Sequence, residues 1–229
     1  MEDNTFFKSV WRFNGLVIAL AGILSVGVLI FITYKLFNDV TRERNTSNIV
    51  NLEEDTEIKE SWNLGQLSKL NDGKTLIIPL HSNQSFNRSY FSKSSNSTRN
   101  YLFIDTETLQ EKWLFDHTDY LIERSDWLKR DDYNAEDPVI AILYQLVKLD
   151  SDSDNRLSAD DLSIIAIASP DGSNYKELIN EVELIVDHTL LSKKELFLIY
   201  QKDNISYSAI IDLAKRTIIK TTQLPKIGA

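Results

Sequence analysis

The chain has 229 residues, with 34 acidic and 25 basic side chains, no cysteine and 42% hydrophobic residues. Without cysteine there are no disulfides, no thiolate metal sites and no cysteine nucleophile. Only five basic and four acidic residues precede Asn45, leaving 20 basic against 30 acidic beyond it. That balance repels phosphate backbones and anionic headgroups, and argues against nucleic acid as a partner.

Residues 1–12 form a short tail, and from Phe13 to Tyr34 no charged side chain occurs. About 20 apolar residues at 1.5 Å rise cross a hydrocarbon core roughly 30 Å thick, so residues 13–37 are predicted to be a transmembrane anchor helix. Trp11 and Phe13 before the run, and Tyr34 and Phe37 after it, stand where aromatic rings favour the interface. A cleaved signal peptide has a shorter apolar region ending at small residues, whereas Tyr34-Lys35-Leu36-Phe37 follows here; the run reads as an uncleaved signal-anchor. Gly15, Ala19 and Gly22 share one helical face, a seam suited to a second helix, either another subunit or a second copy. Lys8 and Arg12 on one side nearly balance Lys35, Arg42 and Arg44 on the other. The short tail and large C-terminal part place the soluble domain on the periplasmic side of a bacterial cytoplasmic membrane.

Residues 38–62 are polar, show no strong period, and read as a stalk. Over residues 63–229 short apolar or alternating runs recur between turn signals, which predicts strands. The clearest are Thr75 to Leu80, Tyr101 to Asp105, Lys112 to Phe115, Val139 to Leu149, Leu162 to Ala168, Glu183 to Val186, Glu195 to Gln201, Tyr207 to Asp212 and Arg216 to Thr221. Hairpin-like links such as Lys202-Asp203-Asn204 make neighbouring strands antiparallel. Ser82 to Asn100, rich in Ser and Asn, is expected to be a mobile surface loop. Short helical pieces are expected at Leu64 to Leu70 and at a turn beginning at Ser158.

Two segments carry a resemblance. Tyr101-Leu102-Phe103-Ile104-Asp105 with Glu111-Lys112-Trp113-Leu114-Phe115 looks like the inner strands of a propeller blade. Ile165-Ala166-Ile167-Ala168-Ser169-Pro170-Asp171-Gly172-Ser173-Asn174 resembles the repeat of TolB-type and WD40-like β-propellers. Nine or ten strands make two to three four-stranded blades, fewer than closed propellers use. The expected fold is therefore mostly β: an N-terminal transmembrane helix followed by an antiparallel meander, either a partial propeller or sandwich-like.

Asp150-Ser151-Asp152-Ser153-Asp154-Asn155-Arg156-Leu157-Ser158-Ala159-Asp160-Asp161 resembles an EF-hand calcium loop. Calcium takes six to eight oxygens at about 2.3–2.6 Å, and alternating aspartates on a tight loop converge such oxygens. The resemblance implies side-chain ligands from Asp150, Asp152, Asp154 and Asp161, the Arg156 carbonyl, and Ser158 directly or through water. Asn155 replaces the usual glycine and Asp161 the usual glutamate. Three carboxylates at i, i+2 and i+4 repel one another without a cation, although a solvated turn capped by Ser158 accounts for the same acids.

His81, His117 and His188 lie far apart, and no nucleophile elbow, phosphate loop or dinucleotide fingerprint occurs. Trp113, Trp127 and Tyr133 either rim a recognition surface or belong to a core. The sequence thus predicts a membrane-anchored, non-catalytic binding or assembly module with a structural calcium ion. Two alternatives stand beside it: a membrane-tethered hydrolase whose site spacing does not reveal, and an accessory subunit of a membrane complex.

Overall fold

The structure, a computed structural model, describes residues 5–41, 48–52, 59–88, 91–129 and 137–225. Side chains are described for these except 5–9, 35–41, Asp72, 85–88 and 91–95. The chain divides into two compact units, Met1–Asn45 and Thr46–Ala229.

The first unit is the helix α1, Thr5–Thr41. Its segment Val10–Tyr34, 25 residues, is long and apolar enough to cross a membrane, and none of it is buried within the protein. Inside that segment Ser25 Oγ donates to the Ala21 carbonyl and Thr33 Oγ1 to the Leu29 carbonyl, each at 2.8 Å. Both hydroxyls are thereby satisfied within the helix, as an apolar solvent requires.

The second unit is built from antiparallel strands. In chain order they are β1 Val50–Asn51, β2 Lys59–Leu64, β3 Ser68–Leu70, β4 Thr75–Arg88, β5 Phe91–Asp105, β6 Glu111–Trp113, β7 Leu121–Leu128 and β8 Ala141–Val147. They continue with β9 Arg156–Leu157, β10 Ser163–Ala168, β11 Lys176–Val182, β12 Leu184–Ser192, β13 Glu195–Lys202, β14 Ile205–Asp212 and β15 Thr217–Gln223. These make three successive meanders: a first sheet β2-β4-β5-β6 with β3 on β4, a central sheet β7-β8-β10-β11, and a third sheet β12-β13-β14-β15. Together they form a half-barrel. A fourth, two-stranded piece pairs β1 with β9.

The central sheet is covered on both faces, which explains why every residue of β8 is buried. One face, with Ala141, Leu143, Ile165 and Ile167, packs on Leu196, Leu198, Ala209 and Ile211 of the third sheet. The other, with Ile142, Tyr144 and Leu146, packs on Leu70, Ile77 and Phe103 of the first. A strand with two apolar neighbours reads as a continuous apolar run, as Ala-Ile-Leu-Tyr does from Ala141.

Four expectations are corrected. Ser82 to Asn100 is no loop: β4 and β5 stay paired from Thr75↔Asp105 out to Arg88↔Phe91, with a bulge beside Leu80. Part of the expected stalk is strand, because β1 and β2 lie within residues 38–62 and Val50 is buried. Leu64 to Leu70 holds the strand β3 where a helix was expected, and only Asn71–Gly73 next to it makes a helical turn, of the 3-10 kind. Ser158 opens a turn and not a helix.

Candidate metal centre

The loop between β8 and β10 is pinned from below by the β1–β9 pair. Val50 opposes Leu157, and the Leu52 amide donates to the Asn155 carbonyl at 2.9 Å. Val50 and Leu157 bury themselves with Leu121 and Val147 in a small cluster apart from the two larger ones.

Within the loop Ser153 and Asn155 both adopt φ of 62°. Asparagine tolerates this left-handed region better than most residues, which suits Asn155 to this turn. The Asp150 carboxylate folds back over the turn: Oδ1 accepts from the Asp154 amide at 3.2 Å and Oδ2 from the Asn155 amide at 2.8 Å. Asp152 Oδ1 accepts from the same Asp154 amide at 3.1 Å. As a result one carboxylate oxygen from each of Asp150, Asp152 and Asp154 lies within 4.8 Å of the others. No other group of three His, Asp or Glu side chains meets in this way among the described residues. Desolvation, then the charges of Asp154 and Asp161, raise the Asp152 carboxyl above its ordinary value, while the Asp154 amide opposes them.

Asp161 takes a different part. It is buried, and its Oδ1 accepts from the Ser151 amide at 2.5 Å, the Ser151 hydroxyl at 3.0 Å and the Asp152 amide at 3.4 Å. Its Oδ2 accepts from the Ser158 amide at 3.0 Å. Ser158 Oγ in turn accepts from the Asp160 amide at 3.1 Å. Of the six residues singled out by sequence, three converge on one point, while Asp161 and Ser158 tie the loop shut from behind. Arg156 lies in β9 opposite Asn51. Three acceptor-only carboxylates suit a hard cation such as calcium, and their mutual repulsion favours any cation that joins them.

Sequence spacing missed Glu123, which stands at the bulge of β7 and accepts from Gln145 Nε2 at 2.7 Å. Burial pushes its carboxyl up to about 7, opposed by Arg124 and assisted by Asp160. No spacing rule exposes it, because its environment is assembled from strands far apart in sequence.

The histidines stay separate. His81 Nδ1 lies 3.3 Å from Thr98 Oγ1, His117 Nδ1 is 3.5 Å from Asp119, and His188 Nδ1 is 4.0 Å from Asp126. Trp127 packs half-buried against the inner cluster, Trp113 is exposed on the first sheet, and Tyr133 lies outside the described residues. The Ser169–Asn174 stretch is the turn between β10 and β11. It receives Lys112 Nζ from the first sheet on the Gly172 carbonyl at 3.4 Å. On its other side the Arg216 guanidinium, from the third sheet, reaches Ser169 Oγ at 2.6 Å.

No protein family matches the chain, and no curated protein does. Among solved structures it is similar to the β-propeller domain of the Trilobed protease from Pyrococcus furiosus, which has an open velcro topology. That likeness has a TM-score of 0.36 at 10% identity, over 75% of this chain and 45% of that chain. The match thus spans less than half the length of that chain.

Proposed function

We propose that the chain is a membrane-anchored, non-catalytic binding or assembly module, its β unit held on the outer side of a cytoplasmic membrane and stiffened at one end by calcium. The observation that carries the reading is the Val10–Tyr34 segment: 25 residues, apolar for most of their length, none buried in the protein, in a unit separate from the β sheets. In water such a segment would expose apolar surface along its whole length, and a bilayer removes that cost. Full-length protein is expected to stay with membranes through an alkaline carbonate wash. Recovery in the soluble fraction, or a mature chain starting beyond residue 37, overturns the anchor.

Calcium is held by Asp150, Asp152 and Asp154 with the Arg156 carbonyl, while Asp161 and Ser158 keep the loop closed around them. The convergence of the three carboxylates supports this assignment. Calorimetric titration of the full chain in detergent should show one calcium site that Asp152→Ala abolishes. Absence of heat at millimolar calcium removes it.

The accessory-subunit reading keeps the Gly15, Ala19 and Gly22 face as the partner surface. A Cβ added at Gly15 or Gly22 meets nothing within 4 Å in this chain, so the face is open to a second helix. Gly22→Leu should then break up a complex that co-purifies with the wild-type chain.

A further inference from the structure

Among the described residues the central sheet shares a large apolar cluster on each face, whereas the first and third sheets each share one such cluster, with the central sheet. Their outer faces are nevertheless apolar. On the first sheet Ile78 pairs with Leu102, and Leu102 with Trp113. These alternate with Ile77 and Phe103, which enter the core, so they lie on the opposite face; there Ile78 and Leu102 are themselves buried, while Trp113, Leu64 and Trp62 stand exposed. On the third sheet Leu196, Leu198 and Tyr200 point inward, leaving Phe197, Ile199 and Ile210 half-buried on the outside beside exposed Leu184, Val186 and Ile219.

Thirteen large apolar side chains of the described β unit stand exposed, and ten of them belong to these two end sheets or their turns. Scattered exposed apolar residues are ordinary, but such concentration on the two end sheets and their turns marks surfaces built for cover.

Charge says what covers them. Where adjacent sheets already meet, a cation from one reaches the turn of the next: Lys112 to Gly172, and Arg216 to Ser169. At this same end the third sheet carries Lys193 and Lys194, beside the β14–β15 turn through the Leu213 amide on the Lys194 carbonyl at 2.8 Å. The first sheet carries Glu107 and Glu111 beside Lys112 there. All four are exposed, and none has an ion-pair partner among the described residues. The free face at one end of the stack therefore matches the free face at the other in both apolarity and charge.

We infer that the β unit pairs head to tail with a second copy of this chain, the outer face of each third sheet on the outer face of the partner's first sheet. Two half-barrels of three sheets each close into a ring of six, within the four to eight that closed rings of four-stranded sheets use. The interface is heterologous and repeats twice about one two-fold axis. Both copies face the same way along that axis, so two anchors can enter one bilayer. This assembly needs neither the calcium site nor the glycine face of the helix.

The chain has no cysteine, so single thiols can be placed at will. Full-length protein in nanodiscs is expected to be a dimer by light scattering, and Gly22→Leu should leave it dimeric. Trp113→Cys and Ile219→Cys chains, mixed and treated with a short bismaleimide, should cross-link to each other and not within either variant alone. Lys193→Glu with Lys194→Glu should lower the cross-linked fraction at least tenfold, and adding Glu107→Lys with Glu111→Lys to the same chain should restore it. A monomer, a dimer lost on Gly22→Leu alone, cross-links within single variants only, or no response to charge reversal each overturns the inference.

Discussion

Asp150, Asp152 and Asp154 place three like charges on one turn, and the loop answers with backbone amides, two of them on Asp150. Glu123 has no such help, since its neighbours are Gln145 and the charges of Arg124 and Asp160. Its carboxyl rises from 4.5 to about 7 through burial, so between these values the folded chain binds more protons than the unfolded one. By linkage the contribution of Glu123 is intact at or below about pH 4.5 and is lost as pH climbs through 7. Glu123→Gln, which keeps an acceptor for Gln145, should raise the melting temperature by about 2 to 4 °C at pH 8 and change it little at pH 4.5. Equal shifts at both pH values would show that the carboxyl is not titrating in the fold. The aspartate triad was legible in the sequence because its i, i+2, i+4 spacing is local. The part played by Asp161 was not, since spacing cannot tell a carboxylate facing an ion from one facing the amides of Ser151 and Ser158.

Strands with an unbroken pattern announced themselves. Glu195 to Gln201 alternates because one face of β13 meets the central sheet, and β8 is apolar throughout because both of its faces are covered. β7 escaped notice: a bulge between Ile122 and Arg124 shifts the alternation, so Glu123, Arg124 and Asp126 interrupt its apolar residues. The outer half of the β4–β5 hairpin escaped for another reason, because Ser and Asn supply no apolar period even where backbone pairing continues. The Pro170-Asp171-Gly172 turn was legible, and its glycine is under two constraints at once. Gly172 has φ of +74°, and a Cβ there would meet the Phe103 ring at 2.4 Å. Phe103 belongs to the first sheet and the turn to the central one, so the clash would fall where the two pack. Gly172→Ala should destabilise by about 2 kcal/mol, about 4 to 8 °C in melting temperature. Removing the ring offers relief, so Phe103→Leu should recover part of that loss in the double variant; simple addition of the two losses would mean that backbone conformation alone is at fault.

At the scale of the whole chain, the β unit begins at the loop it was not expected to touch. The strand β1 follows closely on the helix unit, and it pairs with β9 inside the acidic loop. Further bonds fasten the same stretch. Asn48 Nδ2 donates to the Ile122 and Glu123 carbonyls at 3.2 Å each, and the Asn51 amide donates to Gln84 Oε1 at 2.8 Å. The entry of the chain into the β unit and the candidate metal loop therefore share one small cluster of Val50, Leu121, Val147 and Leu157, apart from the two cores that hold the three sheets together. Small clusters of this kind open at lower free energy than the cores beside them. Val50→Ala removes two buried methyls and should cost about 1 to 2 kcal/mol, borne locally. Hydrogen exchange on the full-length variant should then speed up at the Leu52 amide, which bonds to Asn155, while amides of β13 and β14 keep their wild-type protection. Uniform acceleration through the third sheet would instead mean that entry, loop and sheets unfold as one body.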